Sequence, residues 1–402
     1  MTLRHCAMLS AVFGLGLVAQ LFAAPTLGQH FSARTLRPGY FCPSSAHRRC
    51  RLIRSVRLPF LPANGMMPTG GRPHVPLTLS STNIASSSSV SSPSPVRDGG
   101  IRFVMRRRCF LAPARSVPGE REGCNGTAVC SPPLIVMGGM AQSVEAYEHH
   151  LPSLSTNRDV LVYECLGQGP TPLSQNQRVT DVSLSVQADI LDDVLAEAFP
   201  SHTEFDIAGF SLGGRIAMAF AASRPHRVRR MHLTGVASHR GEYGRLVLEQ
   251  WRDLLPREDI KDSDDCGRRL RAFGWSAILA THSDDFLANV GPEKIRKWVE
   301  GVRNRCTYDG LAAILAHAHP GEDSDWSTSS MAQRIAQSTI TGRLVVGELD
   351  RMAPVEGALR LEEELGWNEG SCALEIVQRC GHAVPTESGR WWRNDVTKFI
   401  ST

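Results

Sequence analysis

The segment Phe205-Asp-Ile-Ala-Gly-Phe-Ser-Leu-Gly-Gly-Arg215 constrains the fold more than any other stretch of this chain. A short apolar run ends in Gly209-Phe210-Ser211-Leu212-Gly213-Gly214, and helix-forming residues follow from Arg215 to Ala222. A strand must therefore turn sharply into a helix, with one serine at the apex. Gly209 and Gly213 let the turn tighten because neither carries a Cβ. Ser211 is left exposed beside a helix N-terminus, whose free N–H groups favour developing negative charge.

The surrounding sequence repeats the strand-and-helix alternation. Pro133–Met137, Asp159–Tyr163, Arg229–Val236, Arg343–Gly347 and Ala373–Val377 are short runs rich in apolar residues, as strands buried in a parallel sheet should be. Val144–Leu154, Leu184–Phe199 and Ser388–Ile400 read as helices between or after them. The pattern predicts an α/β core over residues 101–237 and 338–402, with a mostly parallel, doubly wound sheet. Ile101–Ala112 and the region Cys124–Cys130 read as an opening antiparallel pair. Residues 238–337 contain no buried parallel strand. They read as an inserted helical cap of four helices, Tyr243–Leu255, Asp265–Ala280, Pro292–Asn304 and Tyr308–Ala316.

A serine hydroxyl is a poor nucleophile without a base, and the base needs a third group to fix its tautomer. Gly347-Glu-Leu-Asp350 leaves the end of a strand beyond the cap, and Gly381-His382 follows the last strand. Both lie at strand C-termini, where open α/β sheets place their sites. Asp350 is the candidate acid and His382 the candidate base. Glu348 is the rival acid, expected to alternate away on the outgoing strand. His149-His150, His317 and His319 read as helix-surface or cap residues.

With this elbow and this order of residues, positions 130–400 resemble the α/β-hydrolase family in its capped, serine-nucleophile form. The resemblance implies Ser211 as nucleophile, His382 as base and Asp350 as the acid that orients it. It implies an oxyanion hole from the N–H of Leu212 and of Met140, in the loop Met137-Gly138-Gly139-Met140. That register follows from aligning Tyr147, and a shift of one residue stays open. The family often has His-Gly-x in this loop, and the histidine is missing here. The family's Asp-x-x-Gly-x-Gly-x-Ser loop reads Glu164-Cys-Leu-Gly-Gln-Gly-Pro-Thr171, with the glycines kept as Gly167 and Gly169.

The activity implied is hydrolysis of an ester, thioester or amide, of a small-molecule or acyl substrate, through an acyl-serine, with an ester or thioester favoured and no cofactor. A second reading comes from Gly-Phe-Ser-Leu-Gly-Gly-Arg215. It is similar to the elbow of succinyl-hydroxycyclohexadiene-carboxylate synthase, a lyase of menaquinone and phylloquinone biosynthesis. Its acidic substrate would need arginines lining the cap, with Arg252, Arg268 and Arg269 as candidates. A third reading is a ligand receptor on the same fold.

Charge and cysteine content narrow the partners. Residues 1–100 hold ten arginines, no lysine and one acid, Asp98, a net of +9. The other 302 residues carry 34 basic and 39 acidic side chains, a net of −5, which argues against nucleic acid as a partner. The eleven cysteines include no Cys-x-x-Cys pair and no cluster with zinc spacing, so no metal site is expected. Cys124 and Cys130 could bridge a loop, and Asn125-Gly126-Thr127 matches a glycosylation sequon.

The first hundred residues read as an address. Arg4 precedes an uncharged stretch from Ala7 to Ala24 that ends in small residues, as in a secretory signal peptide, so no stable membrane span is expected in the mature chain. Residues 25–100 are rich in Arg, Ser and Pro and almost free of acids, and are expected to be disordered. Signal plus transit-like segment resembles the bipartite presequences of algae with secondary plastids. Plastid import is the expectation, with the secretory route as the alternative.

Overall fold

The computed structural model describes the backbone of residues 52–57, 79–80 and 100–106, and residues 131–168, 182–256, 262–321, 323–367 and 374–401 in full. They all belong to one compact unit, Arg49–Thr402. The expected signal peptide, Cys124, Cys130, Asn125 and Gly169 lie outside the described residues.

The strands are β1 (Leu52–Arg57), β2 (Leu79–Ser80), β3 (Gly100–Arg106), β4 (Leu134–Met137), β5 (Val160–Tyr163), β6 (Phe205–Phe210), β7 (Val228–Thr234), β8 (Thr341–Gly347) and β9 (Glu375–Val377). They form one sheet in the order β2-β1-β3-β5-β4-β6-β7-β8-β9. The six strands from β5 to β9 run parallel, while β3, β1 and β2 extend one edge antiparallel.

The helices are α1 (Leu151–Leu154), α2 (Leu184–Ala198), α3 (Leu212–Ser223), α4 (Glu242–Leu254), α5 (Ser263–Thr281), α6 (Asp284–Val290), α7 (Pro292–Arg305), α8 (Tyr308–His317), α9 (Thr328–Ala336), α10 (Val355–Leu365), α11 (Val384–Glu387) and α12 (Gly389–Ser401). Strand side chains alternate between two cores, because successive residues point to opposite faces. Leu134, Val136, Val160 and Val162 pack with α1 and α12 around Trp392, Val396 and Ile400. Ile135, Met137, Leu161 and Ile207 pack with α2, α3, α9 and α10 around Leu191, Phe220, Ile335 and Leu361. Both faces are covered, which is why β4 and β5 carry no charged residue and β6 buries its one acid, Asp206, against Arg158 and Arg229.

The chain leaves β4 for β5 on one side and returns to β6 on the other. The strand order reverses there, so the loops after β4 and β6 flank one crevice at the carboxyl ends of the strands. This topology brings the Met137–Met140 loop beside Ser211.

Several expectations are corrected. β3 pairs antiparallel with β1 and β5; the expected partner region, 124–130, lies outside the described residues. Two pieces of the expected disordered segment therefore join the sheet as strands. Leu52, Ile53 and Val56 are strand formers inside an otherwise Arg- and Ser-rich stretch, and β3 offers them a free edge. The single helix expected over Val144–Leu154 is a 3₁₀ turn, Val144–Ala146, followed by α1. Pro152 lacks the N–H that a continuous helix needs and sits instead in the first turn of α1.

Among the described residues, the insertion between β7 and β8 holds six helices rather than four. The additional ones are α6, a two-turn piece closed by Gly291, and α9. Helix α9 packs on α3 and α10 and belongs to the core, so the cap proper ends near α8. Helices α5 and α7 share a small core of their own, Ile278, Ile295 and Val299.

Candidate active site

The elbow takes the form its sequence dictates. Ser211 has φ 51° and ψ −113°, a strained backbone for a residue with a side chain. The packing around it explains the glycines. A Cβ at Gly209 would lie 2.6 Å from Gly214 Cα, and one at Gly213 would lie 2.6 Å from the carbonyl oxygens of Met137 and Gly138. Gly213 N–H donates to Gly138 O at 3.1 Å, which ties the start of α3 to the loop after β4.

Three side chains from three strand ends meet at this point. His382 Nε2 lies 2.9 Å from Ser211 Oγ, and His382 Nδ1 lies 2.8 Å from Asp350 Oδ2. Asp350 is 4 % exposed and His382 5 %, so both are shielded from bulk water. Asp350 Oδ1 also accepts from the N–H groups of Met352 (2.9 Å) and Ala353 (2.8 Å). A carboxylate with both oxygens engaged keeps its position and can fix the imidazole tautomer. Phe210 lies beside the His382 ring, with centroids 5.1 Å apart. Glu348 is exposed and accepts from Arg379 N–H, away from this line.

The loop after β4 supplies the opposite wall. Gly139 N–H is taken by Gln142 Oε1 at 2.8 Å, and the same oxygen accepts from Tyr147 OH at 2.8 Å. Gln142 thus braces the loop where the family often has histidine. The N–H groups of Met140 and Leu212 have no acceptor among the described residues. Gly139 N–H is thus engaged within the loop, whereas Met140 N–H is not.

Cations line the cap side. Arg215, in the first turn of α3, is buried and donates from Nη1 to Ala318 O (3.1 Å) and to His319 Nδ1 (2.8 Å). Arg240 Nη2 reaches the same Nδ1 at 3.4 Å, and Arg252 Nε donates to Leu315 O. None of these three guanidiniums has a carboxylate within ion-pair distance among the described residues, and Arg215 Nε is buried without a partner. Burial and the neighbouring Arg240 pull the Arg215 pKa down to about 9. Burial and Arg252 pull Arg240 down to about 10, against the opposing pull of Asp350. Burial, then Arg240, Arg215 and Arg252, push His319 well below the usual imidazole range. A guanidinium only donates, so His319 Nδ1 is an acceptor and its proton sits on Nε2.

Of the arginines singled out in the sequence, Arg252 joins this cluster. Arg268 and Arg269 turn along α5 to Asp265 and do not. Arg240 carried no sequence signal and His319 was read only as a helix-surface or cap residue, because an isolated polar residue in a loop looks the same whether it faces solvent or packs between elements. His319 is not a surface residue, since its Nε2 is buried. Nor is His150, which packs on Trp392 and accepts from Arg393 Nη1. Among the described residues no group of His, Cys, Asp or Glu is arranged to hold a metal ion.

A doubly covered parallel sheet with a serine elbow at its switch point defines an α/β-hydrolase-type protein. Residues 132–387 match the family model for the alpha/beta hydrolase fold, and the chain belongs to that family. A Bacillus subtilis protein named provisionally as a 2-succinyl-6-hydroxy-2,4-cyclohexadiene-1-carboxylate synthase is 29% identical over 244 residues, covering 60% of this chain and 80% of the relative. The 2-hydroxy-6-oxo-2,4-heptadienoate hydrolase of Pseudomonas putida is 25% identical over 280 residues, 67% of this chain and 89% of that one. Among solved structures, MGS-M2, an alpha/beta hydrolase enzyme from a deep-sea metagenome, superposes with TM-score 0.57 at 18% identity, covering 75% of this chain and 94% of its own. That likeness shows the fold alone.

Proposed function

We propose that this chain is an enzyme that uses Ser211, His382 and Asp350 as a catalytic triad on a small molecule bearing carboxylates. The carrying observation is the unbroken line Ser211 Oγ–His382 Nε2–Asp350 beneath two unengaged N–H groups. In the hydrolytic reading, Ser211 Oγ attacks the carbonyl carbon of an ester or thioester as its proton passes to His382 Nε2. The oxyanion is held by Met140 and Leu212 N–H, and His382 returns the proton to the leaving alcohol or thiol. Water then repeats the sequence on the acyl-serine and frees the acid. Asp350 orients His382 and stabilises the imidazolium.

The arginine cluster favours a second reading. Arg215 is a buried guanidinium without a carboxylate, with Arg240 half-buried beside it, and such a group suits a substrate that supplies the carboxylate. The Bacillus subtilis relative is named for a product with a ring carboxylate and a succinyl group, and this chain carries Arg215 four residues after Ser211. In that reading the Ser211–His382 pair removes a proton α to a carbonyl. Charge moves onto the carbonyl oxygen under the same two N–H groups. The returning electron pair forms a C=C bond and expels a β-leaving group, which takes up a proton.

Treating the full chain with a fluorophosphonate, followed by mass mapping, tests the shared part. Labelling of Ser211, absent in Ser211→Ala, is expected, and a folded chain that does not label refutes both readings. Turnover of short acyl esters or thioesters then supports hydrolysis. Appearance of a conjugated-diene absorbance from a cyclohexene carboxylate with a β-leaving group, without ester turnover, supports elimination. Import into a plastid is a separate proposal, tested by fusing residues 1–100 to a fluorescent reporter. A reporter that stays in the secretory route refutes it.

A further inference from the structure

The loop that carries His382 is held on both sides by bonds that reach the cap. Before His382, Gly381 N–H donates to Glu387 Oε1 at 3.1 Å. After it, Ala383 N–H donates to Thr281 O, at the end of α5, at 2.9 Å. Glu387 in turn grips the α5–α6 corner. Its Oε1 accepts from Ser283 N–H at 3.1 Å and its Oε2 from Ser283 Oγ at 2.5 Å. The packing leaves no slack: a Cβ at Gly381 would lie 2.7 Å from Glu387 Oε1 and 2.8 Å from Ser283 N. On the outer side, Arg379 Nη2 meets Asp285 Oδ2.

We propose that Glu387 is a positioning residue through which the α5–α6 corner of the cap latches the His382 loop in register with Ser211 and Asp350. The inference rests on the triad reading above. Helix α11, which ends in Glu387, begins two residues after His382, so the loop has few internal bonds to fix the ring. Its flanking N–H groups are satisfied by Glu387 and by Thr281, and Glu387 is shared with Ser283. Seating the cap corner and aligning the imidazole are therefore one event. Reacting groups need alignment to within a few tenths of an ångström, and a displacement near 1 Å costs about 10²-fold in rate.

The test compares wild type, Glu387→Ala, Glu387→Gln and Ser283→Ala as full chains. It follows the fluorophosphonate labelling rate of Ser211 and the thermal transition. Glu387→Ala is expected to label about 10²-fold more slowly while keeping a cooperative transition. Glu387→Gln keeps one oxygen for both N–H groups, and the Ser283 hydroxyl can turn to accept from the amide. It is expected to restore labelling to within about threefold of wild type. Ser283→Ala removes the hydroxyl bond to Glu387 Oε2 and the α6 N-cap that the same hydroxyl gives Phe286 N–H, while the Ser283 N–H bond to Oε1 remains. With the latch weakened but Glu387 kept, labelling is expected to slow about tenfold, and wild-type labelling in this variant overturns the latch if Glu387→Ala does not fold. Labelling of folded Glu387→Ala at the wild-type rate overturns the latch alone. Equal losses in the Ala and Gln variants overturn it too, because the carboxylate charge rather than the shared hydrogen bonds would then be responsible. A wild-type chain that does not label overturns the triad reading and the latch with it.

Discussion

Replacing Asp350 by Asn separates the orienting role proposed for this residue from its structural one. Asp350 makes three hydrogen bonds. Two, from Met352 and Ala353 N–H, go to Oδ1 and survive in an amide. The third, from His382 Nδ1 to Oδ2, does not. The amide NH₂ would face Nδ1 and donate to it, which forces the imidazole proton onto Nε2. Nε2 then points an N–H at Ser211 Oγ and cannot accept its proton. Since two of the three bonds persist, stability should fall by no more than about 1–2 kcal/mol. The rate of Ser211 modification should fall by about 10⁴, the loss seen for the wrong tautomer in a protease triad, or about 5.5 kcal/mol of barrier. Fluorophosphonate labelling kinetics give the rate, and thermal unfolding gives the stability. Glu348→Gln serves as the control and should label like wild type. The reasoning fails if Asp350→Asn labels within about tenfold of wild type, or if Glu348→Gln shows the loss instead.

Gly213→Ala places a methyl group 2.6 Å from two backbone oxygens, so the elbow must shift. It should lose about 1–3 kcal/mol of stability together with Ser211 labelling, and retention of both would contradict the close approach. Arg215→Met removes a buried cation that has no carboxylate partner among the described residues. The transition temperature should hold or rise, while protection of Ser211 from labelling by succinate should weaken about tenfold or more; equal protection in both chains would count against a carboxylate site. Burial, then His149 and Arg393, depress the His150 pKa to about 3. The unfolded chain therefore binds the extra proton first as pH falls below about 6.5, and stability should decline between there and pH 3–4 by up to about 1.4 kcal/mol per unit. Denaturation at several pH values should show a flatter slope for His150→Gln, and an unchanged slope would rule His150 out as the source.

Much of this protein was legible from residues close together in sequence. The elbow could be read because part of its constraint is local: Gly209 is required by atoms of Gly213 and Gly214 within the turn, while Gly213 is required by the distant loop after β4. β4 and β5 could be read because burial on both faces leaves them free of charged residues. Asp350 and His382 followed from their order along the chain and their places after strands. Other features were settled only by the fold. Arg215 and His319 stand 104 positions apart and meet because α8 returns over the elbow. Helix α9 lies within the insertion by sequence yet packs on α3 and α10. Gln142 braces the loop after β4, and Glu387 grips Ser283 across a similar separation. Single polar residues leave no periodic trace in a sequence. Whether a cation faces solvent or a cleft, or a carboxylate caps a surface or holds a loop, depends on which elements the sheet order and the insertion bring together.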